Sequence, residues 1–432
     1  MHRFKFLALL VLGVGQIALA QTPPPKLTLK DAEALAIKNH PQVLAAQNEV
    51  GYANQQITET RSAYYPTVDA DVTGSAANNG GRIGAGYLTD SRLFNRFGQG
   101  ITLSQLITDV GRTPSLVASS RFNAQATEQN SQATRYGVLL QVNRSYFDVL
   151  HAQSLVRVAE ETVAARQLLF EQVSSLATNK LRSQLDVSFA DVNVSEAKLL
   201  LLRAQDSVEE AYAELSRALG SDQVVNYQLV DEPLPSSPPS TADTLITQAM
   251  TNRPELAGLR YSRDAAYKFA DAEKDLARPS VSLVGVAGYI PYIAQLTSQQ
   301  IPAEYGGAAV NVQIPVFNGH LFAARREAAR YRALEADQNL RNEQERVARD
   351  VRVAWASATT AFQRIDVTAQ FLRQASLALD LAQGRYNLGL SSIIELTQAQ
   401  LNLTQAEIEN LSAKYDYQGQ YSVLQYAIGL LR

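Results

Sequence analysis

The 432-residue sequence predicts an α+β membrane protein in which one plan, a hairpin of strands followed by a long helical hairpin, is built twice. Three observations predict this fold class. The two halves of the chain repeat each other. Two long stretches lack proline and carry apolar residues at a seven-residue period, and the segments before them alternate apolar and polar residues.

The tandem repeat is visible in matched landmarks. The segment Asn39–Pro41 (NHP) recurs as Asn252–Pro254 (NRP), an offset of 213 residues. Further along the offset settles at 209 residues, where Val142 meets Val351. An offset that stays within a few residues over half the chain is hard to obtain by chance. The sequence therefore predicts two copies of one structural unit.

The start of the chain has the pattern of a secretory signal peptide. A basic segment with Arg3 and Lys5 precedes an apolar run that ends in small residues at Ala20. We therefore divide the chain into a signal peptide (1–20), a first repeat (21–235) and a second repeat (236–432). Cysteine is absent, which excludes disulfides, thiolate metal sites and a lipidated N-terminal cysteine.

Charge and motifs exclude several function classes. The net charge of −3 becomes about −5 once Arg3 and Lys5 leave with the signal peptide, which argues against nucleic acid as a partner. The sequence has no phosphate-binding loop, no Gly-x-Ser-x-Gly turn and no helical histidine pair. We therefore expect no catalysis, no cofactor and no metal site.

Two stretches of the chain are predicted to be long helices. All 15 prolines lie outside Ser115–Glu232 and Val316–Arg432. Each stretch is broken once, near Asn179 and near Asn387, which gives one helical hairpin per copy. The seven-residue period predicts a coiled-coil seam along these helices. Its members are Leu185, Val192 and Leu199 in the first copy and Ile394, Leu401 and Ile408 in the second.

A strand pattern precedes each helical hairpin. Pro66–Ala77 alternates apolar with polar side chains, which is typical of a barrel strand with lipid outside and water inside. A glycine-rich loop, Asn78–Phe97, separates it from its partner. The other predicted strands are Gly98–Ile107, Pro279–Tyr289 and Gly306–Val316.

Four strands cannot close a barrel, because about eight is the practical minimum. The predicted transmembrane β-barrel must therefore be shared between protomers. The strand count permits a dimer with eight strands or a trimer with twelve.

The whole mature chain resembles the TolC-like outer-membrane efflux proteins, the outer membrane factors of tripartite export systems. The most specific segment is Tyr386–Leu403 (YNLGLSSIIELTQAQLNL), which is similar to that family's second hairpin turn. The turn Val316–Gly319 (VFNG) is similar to its strand-to-helix junction. The resemblance implies a homotrimer whose twelve-stranded barrel lies in the outer-membrane lipid and continues into a coiled-coil helical barrel through the periplasm.

The resemblance also implies partners and leaves the cargo open. We expect a periplasmic adaptor (membrane fusion) protein and an inner-membrane pump of the RND, ABC or MFS type. The same duct serves small-molecule efflux or type I protein secretion. The alternative function is a structural coiled-coil scaffold of the cell envelope, which would have no use for lipid-facing strands.

The family's periplasmic gate implies roles for several residues. Its acidic constriction matches Glu395, whereas its second acidic position is occupied by Gln398. The tyrosine that helps to hold the tunnel closed matches Tyr386, and its acidic partner matches Asp186. We expect a hydrogen bond from the phenol to this carboxylate.

The family's reinforcing arginine is replaced by Ser391, and either Arg182 or Arg385 could substitute for it. The turns that contact the adaptor in the family match two short segments. They are Leu388, Gly389 and Leu390 in the second copy and Lys180 and Leu181 in the first.

Overall fold

The computed structural model describes residues 25–76, 78, 82–83, 91–92, 95–293 and 303–431. The predicted signal peptide, 1–20, and most of the predicted loop from Asn78 to Phe97 lie outside the described residues.

The described residues form eight α-helices in two matching sets. They are α1 (Leu29–Asn39), α2 (Pro41–Arg61), α3 (Arg112–Thr178), α4 (Gln184–Ala218), α5 (Asp243–Asn252), α6 (Pro254–Asp275), α7 (Leu321–Asn387) and α8 (Ile393–Ala427). Helices α3 and α7 both have 67 residues, and α4 and α8 both have 35. The second pair begins and ends 209 residues after the first, so the predicted tandem repeat is confirmed. At about 1.5 Å per residue, α3 and α7 are each roughly 100 Å long.

The strands of the described residues include one four-stranded sheet. All strands are β1 (Lys26–Leu27), β2 (Thr67–Ser75), β3 (Arg82–Ile83), β4 (Ser91–Arg92), β5 (Arg96–Thr108), β6 (Gln228–Leu229), β7 (Ser280–Ile293) and β8 (Glu304–Gln313). The large sheet is antiparallel, in the order β2-β5-β7-β8, so each repeat contributes one hairpin and the two hairpins pair through β5 and β7. Among the described residues, strands β2 and β8 are its unpaired edges.

The predicted end of the last strand was wrong. Strand β8 ends at Gln313, short of the predicted Val316. Pro315 follows two residues later, and a proline has no N–H to donate to the ladder.

Among the described helices, none combines the length and apolar character needed to cross a bilayer.

Small residues form the seam inside each helical hairpin. The buried positions recur every seven residues, as a coiled coil requires. They are Ala190, Ala197 and Ala204 on α4 and Ala399, Ala406 and Ala413 on α8. Alanine lets neighbouring helices approach closely, which accounts for their burial at 8% exposure or less.

The residues predicted to form the seam lie on a different helix face from the buried alanines. Within the single chain the predicted seam was therefore wrong. Leu185, Val192 and Leu199 lie in α4, and Val192 is 55% exposed. Two residues from Ala190 is about 200° around a helix, so Val192 faces away from the alanine seam. We call these three residues the α4 stripe. On α8, Ile394 and Leu401 are likewise exposed.

Each helical hairpin ends against the corner of its own short helices. Gly220 has φ +73°, and a Cβ there would lie 2.7 Å from the Cα of His40. Gly429 has φ +74°, and a Cβ there would lie 2.9 Å from the carbonyl carbon of Asn252. Only glycine fits this close approach in the left-handed conformation. These contacts explain why the glycines and the corner segments recur together.

The linker between the repeats lies beside these corners. Tyr146 of α3 donates a hydrogen bond to the Val230 carbonyl at 2.7 Å. Its repeat equivalent, Trp355 of α7, donates to the Pro239 carbonyl at 2.8 Å. The linker is thus hydrogen-bonded to both long helices. The predicted gate residues lie at the opposite ends of the two helical hairpins, near their turns.

Candidate functional site at the hairpin tips

The two helical hairpins end in turns of one type. In the first, the Leu181 N–H donates to the Leu176 carbonyl at 2.9 Å, and in the second the Leu390 N–H donates to the Arg385 carbonyl at 2.8 Å. This is the helix-ending pattern that needs a left-handed residue after the last turn. Gly389 supplies it with φ +72°, and its equivalent Lys180 adopts the same conformation with φ +59°.

Tyr386 anchors the second tip. It is 3% exposed and packs in a cluster with Val173 of α3 and Ile393 and Leu396 of α8. Its hydroxyl has no hydrogen-bond partner among the described residues. Burial raises the pKa of the Tyr386 phenol, with a smaller opposing effect of Arg182. The phenol is therefore neutral at physiological pH, and its ring is a packing element.

Arg182 ties the two hairpins together. Its Cζ lies 4.2 Å from the centroid of the Tyr386 ring, within the range of a cation–π contact. Its Nη2 also donates to the Tyr386 carbonyl oxygen at 2.8 Å. Either Arg182 or Arg385 was expected to substitute for the arginine that Ser391 replaces. Of these two, Arg182 is the one that contacts Tyr386. The Ser391 hydroxyl is buried and has no partner among the described residues.

The expected hydrogen bond between Tyr386 and Asp186 is not formed. Asp186 instead completes a capping box at the start of α4, where it accepts from the Ser183 N–H at 3.3 Å. A carboxylate three residues after the N-cap satisfies a backbone donor that the helix leaves free. Asp186 still acts on the phenol through space, since it raises the Tyr386 pKa as the last of three causes.

Glu395 is the repeat equivalent of Asp186 and has a different partner. Its Oε1 accepts from Arg385 Nε at 3.0 Å, and both side chains are about half exposed. Gln398 donates to Asn402 at 3.0 Å on the same helix. Where the acidic constriction was predicted, each chain therefore has one carboxylate, and that carboxylate is paired with an adjacent arginine.

The predicted adaptor-contacting turns are exposed. Leu181, Leu388 and Leu390 are 69%, 76% and 66% exposed, and Lys180 and Gly389 are also exposed. Three large apolar side chains projecting from two adjacent turns form an apolar surface at the tip. Such a patch rimmed by polar residues is typical of a protein-binding site.

One contact between the hairpins had no counterpart in the sequence predictions. Asn193 of α4 is buried, and its Nδ2 donates to Thr397 Oγ1 of α8 at 3.0 Å. The available signal was the repeat itself, because Asn193 is matched by Asn402. A polar residue repeated within an apolar helix face indicates a buried hydrogen bond.

One protein family matches this chain, and it does so once per repeat. The family of outer membrane efflux proteins matches residues 34–221 and 245–430. The two matched ranges cover most of the chain and correspond to the two structural units described above.

Relatives and a solved structure extend the match. The outer membrane efflux protein BepC of Brucella suis is 23% identical over 406 residues, which cover 93% of this chain and 84% of BepC. The outer membrane protein TolC of Vibrio cholerae is 24% identical over 406 residues, covering 92% and 89%. The crystal structure of CusC has a TM-score of 0.81 at 20% identity and covers 95% of both chains, so the two share a fold.

Proposed function

Since the chain belongs to the outer membrane efflux protein family, whose members are outer-membrane channels of efflux and type I secretion systems, we propose that three copies form a gated export duct. The duct has a shared twelve-stranded barrel in the outer membrane and a helical tunnel in the periplasm. It carries out no chemistry of its own. An adaptor in the periplasm and an inner-membrane pump deliver the cargo.

The observation that supports this proposal is that a single chain leaves sheet edges and apolar side chains uncovered. Within the described ranges the four-stranded sheet ends in two unpaired edges, β2 and β8, and natural proteins pair or cover such edges. Val68, Val72 and Val310 on these edge strands are more than 60% exposed, as lipid-facing residues would be. The α4 stripe is likewise uncovered. Neighbouring copies that close the sheet into a barrel would also cover the α4 stripe. A coiled-coil scaffold, by contrast, would have no need for strands with exposed apolar side chains.

We propose that the tie between Arg182 and Tyr386 holds the helical tips in the closed state. The two residues lie on different hairpins, 204 positions apart in the chain. Opening the tunnel requires the hairpins to move relative to each other, which separates the guanidinium from the ring and from the carbonyl. The exposed leucines of the turns lie beside this tie, so an adaptor that binds them can release it.

We expect the charge pair at the tip to set ion selectivity. Arg385→Gln leaves Glu395 unpaired, so three carboxylates face the axis and the cation-over-anion permeability ratio should rise roughly five-fold, the factor for about 1 kcal/mol per unit charge at 4 Å in water. Glu395→Gln should lower the ratio by a similar factor. Reversal potentials across a planar bilayer under a salt gradient measure both.

A carboxylate far from the tip serves as the control for these variants. Glu49 lies exposed in α2, and Glu49→Gln should leave the reversal potential unchanged. If neither Arg385→Gln nor Glu395→Gln shifts the potential, the constriction lies elsewhere in the tunnel.

Cell fractionation and conductance test the proposed function itself. The chain should sediment with outer membranes, run as an oligomer that dissociates on heating, and form ion-conducting channels in planar bilayers. A product that stays soluble in the periplasm and conducts no ions would support the scaffold alternative.

A further inference from the structure

An arginine interrupts the small-residue seam of the first hairpin. The buried seven-residue series of α3 is Ser145, Ala152, Ala159, Arg166 and Val173. In α7 the equivalent of Arg166 is Ala375, which is also buried. Arg166 is only 4% exposed. A guanidinium thus occupies a position where the second repeat needs only a methyl group.

Arg166 has no hydrogen-bonding or ion-pair partner among the described residues. None of its nitrogens forms a hydrogen bond or an ion pair within the described residues, and its Nη1 is fully enclosed. Burial lowers the pKa of the Arg166 guanidinium, and Glu196 opposes this from a distance without contacting it. Leaving a buried charge unpaired is costly, so such groups ordinarily find a counter-charge.

The guanidinium opens onto a pocket between α3, α4 and α8. The pocket has a volume of about 220 Å³ and is lined by Thr162, Arg166, Asn193, Glu196, Leu401 and Thr404, among others. Thr162 and Asn193 already donate within the protein, to Val158 at 2.7 Å and to Thr397 at 3.0 Å. Arg166 and the Thr404 hydroxyl make no hydrogen bond within the described residues, so both can donate into the pocket, beside the second N–H of the Asn193 amide.

We propose that this pocket binds a small oxyanion, a carboxylate or phosphate group, through Arg166 and Thr404. A guanidinium presents paired N–H donors that match two oxygens of one such group. The pocket volume of about 220 Å³ is many times the roughly 15 Å³ that a cavity needs to hold one water molecule, which leaves room for acetate or phosphate. Glu196 on the rim repels the anion and weakens its binding. The site does not depend on whether the tunnel conducts.

Thermal unfolding of the detergent-extracted protein, followed by its helical circular dichroism, tests this site. Sodium acetate and sodium phosphate are titrated separately at constant ionic strength set with sodium chloride. The midpoint of the wild-type protein should rise saturably by a few degrees, since a ligand that binds only the folded state stabilises it. Arg166→Met, which keeps the volume, and Arg166→Ala, the residue of the second repeat, should abolish the saturable rise.

Two further variants separate the site from general salt effects. Arg203→Ala removes an exposed arginine of α4 and should keep the wild-type response, including any non-saturable stabilisation by phosphate. Glu196→Gln should tighten anion binding roughly five-fold by removing the rim charge. Response to acetate alone indicates a carboxylate site and response to phosphate alone a phosphate site.

The opposite pattern would overturn the proposal. If Glu196 is the true partner of Arg166, Glu196→Gln lowers the midpoint without added anion, and neither acetate nor phosphate stabilises the wild-type protein. An equal saturable response in Arg166→Met would also place the anion elsewhere.

Discussion

Replacing Arg182 by alanine should raise the resting conductance of the duct about 30-fold. The variant loses a hydrogen bond from a charged donor to the Tyr386 carbonyl and a cation–π contact with its ring. Together these contribute about 2 kcal/mol to the closed state at a half-buried site. A change of that size alters a two-state ratio by roughly 30-fold, and by more if the three tips move together. Single-channel recordings at low voltage measure it.

Tyr386→Phe is the matched control for Arg182→Ala. Within the part of the chain that the structure describes, the phenol has no hydrogen-bond partner, whereas the ring and the carbonyl that contact Arg182 are both kept in phenylalanine. We therefore expect wild-type resting conductance from Tyr386→Phe, and trimers from both variants. A duct that opens with Tyr386→Phe but stays shut with Arg182→Ala would show that the hydroxyl, and not the arginine, holds the tips.

Replacing Val192 by aspartate should prevent assembly. Val192 is the middle residue of the α4 stripe, which we assign to the contact with a neighbouring copy. In the proposed trimer a carboxylate there would be desolvated at three interfaces at once, and an unpaired charge in such a place costs several kcal/mol. We expect the trimer population to fall more than 100-fold on size-exclusion chromatography, with helical circular dichroism retained.

Gln205→Asp controls for the added charge. Gln205 is exposed on the same helix, thirteen residues or about 3.6 turns from Val192, and therefore on a different face. It should assemble like the wild-type protein. Equal loss of trimer in both variants would mean that the stripe is not the interface.

The sequence predicts the architecture well because the architecture depends on local signals. The absence of proline and the repeat offset give both helical hairpins, whose breaks fall where Asn179 and Asn387 predict them. The alternation of Val68 and Val72 with polar residues gives the first strand. Where Pro315 removes a ladder donor, the last strand ends before its predicted end.

The contacts of the site were harder to predict because they join distant positions. The large residues of the α4 stripe dominate the apolar pattern, which hid the alanine seam on the opposite face. Nothing in the local sequence distinguishes Arg182 from Arg385, since the packing of the two hairpins decides which of them contacts Tyr386. Asp186 satisfies its own helix end, a local interaction that outweighed the expected bond to Tyr386.

The number of chains in the duct tests the account most directly, because the proposed shared barrel, the proposed partner of the α4 stripe and the proposed tunnel at the tips all depend on neighbouring copies. Native mass spectrometry of protein extracted from outer membranes in mild detergent measures it. We predict a single species of three chains that releases monomers on activation. A stable monomer that keeps its full β-sheet circular dichroism would contradict the shared barrel and, with it, the export duct.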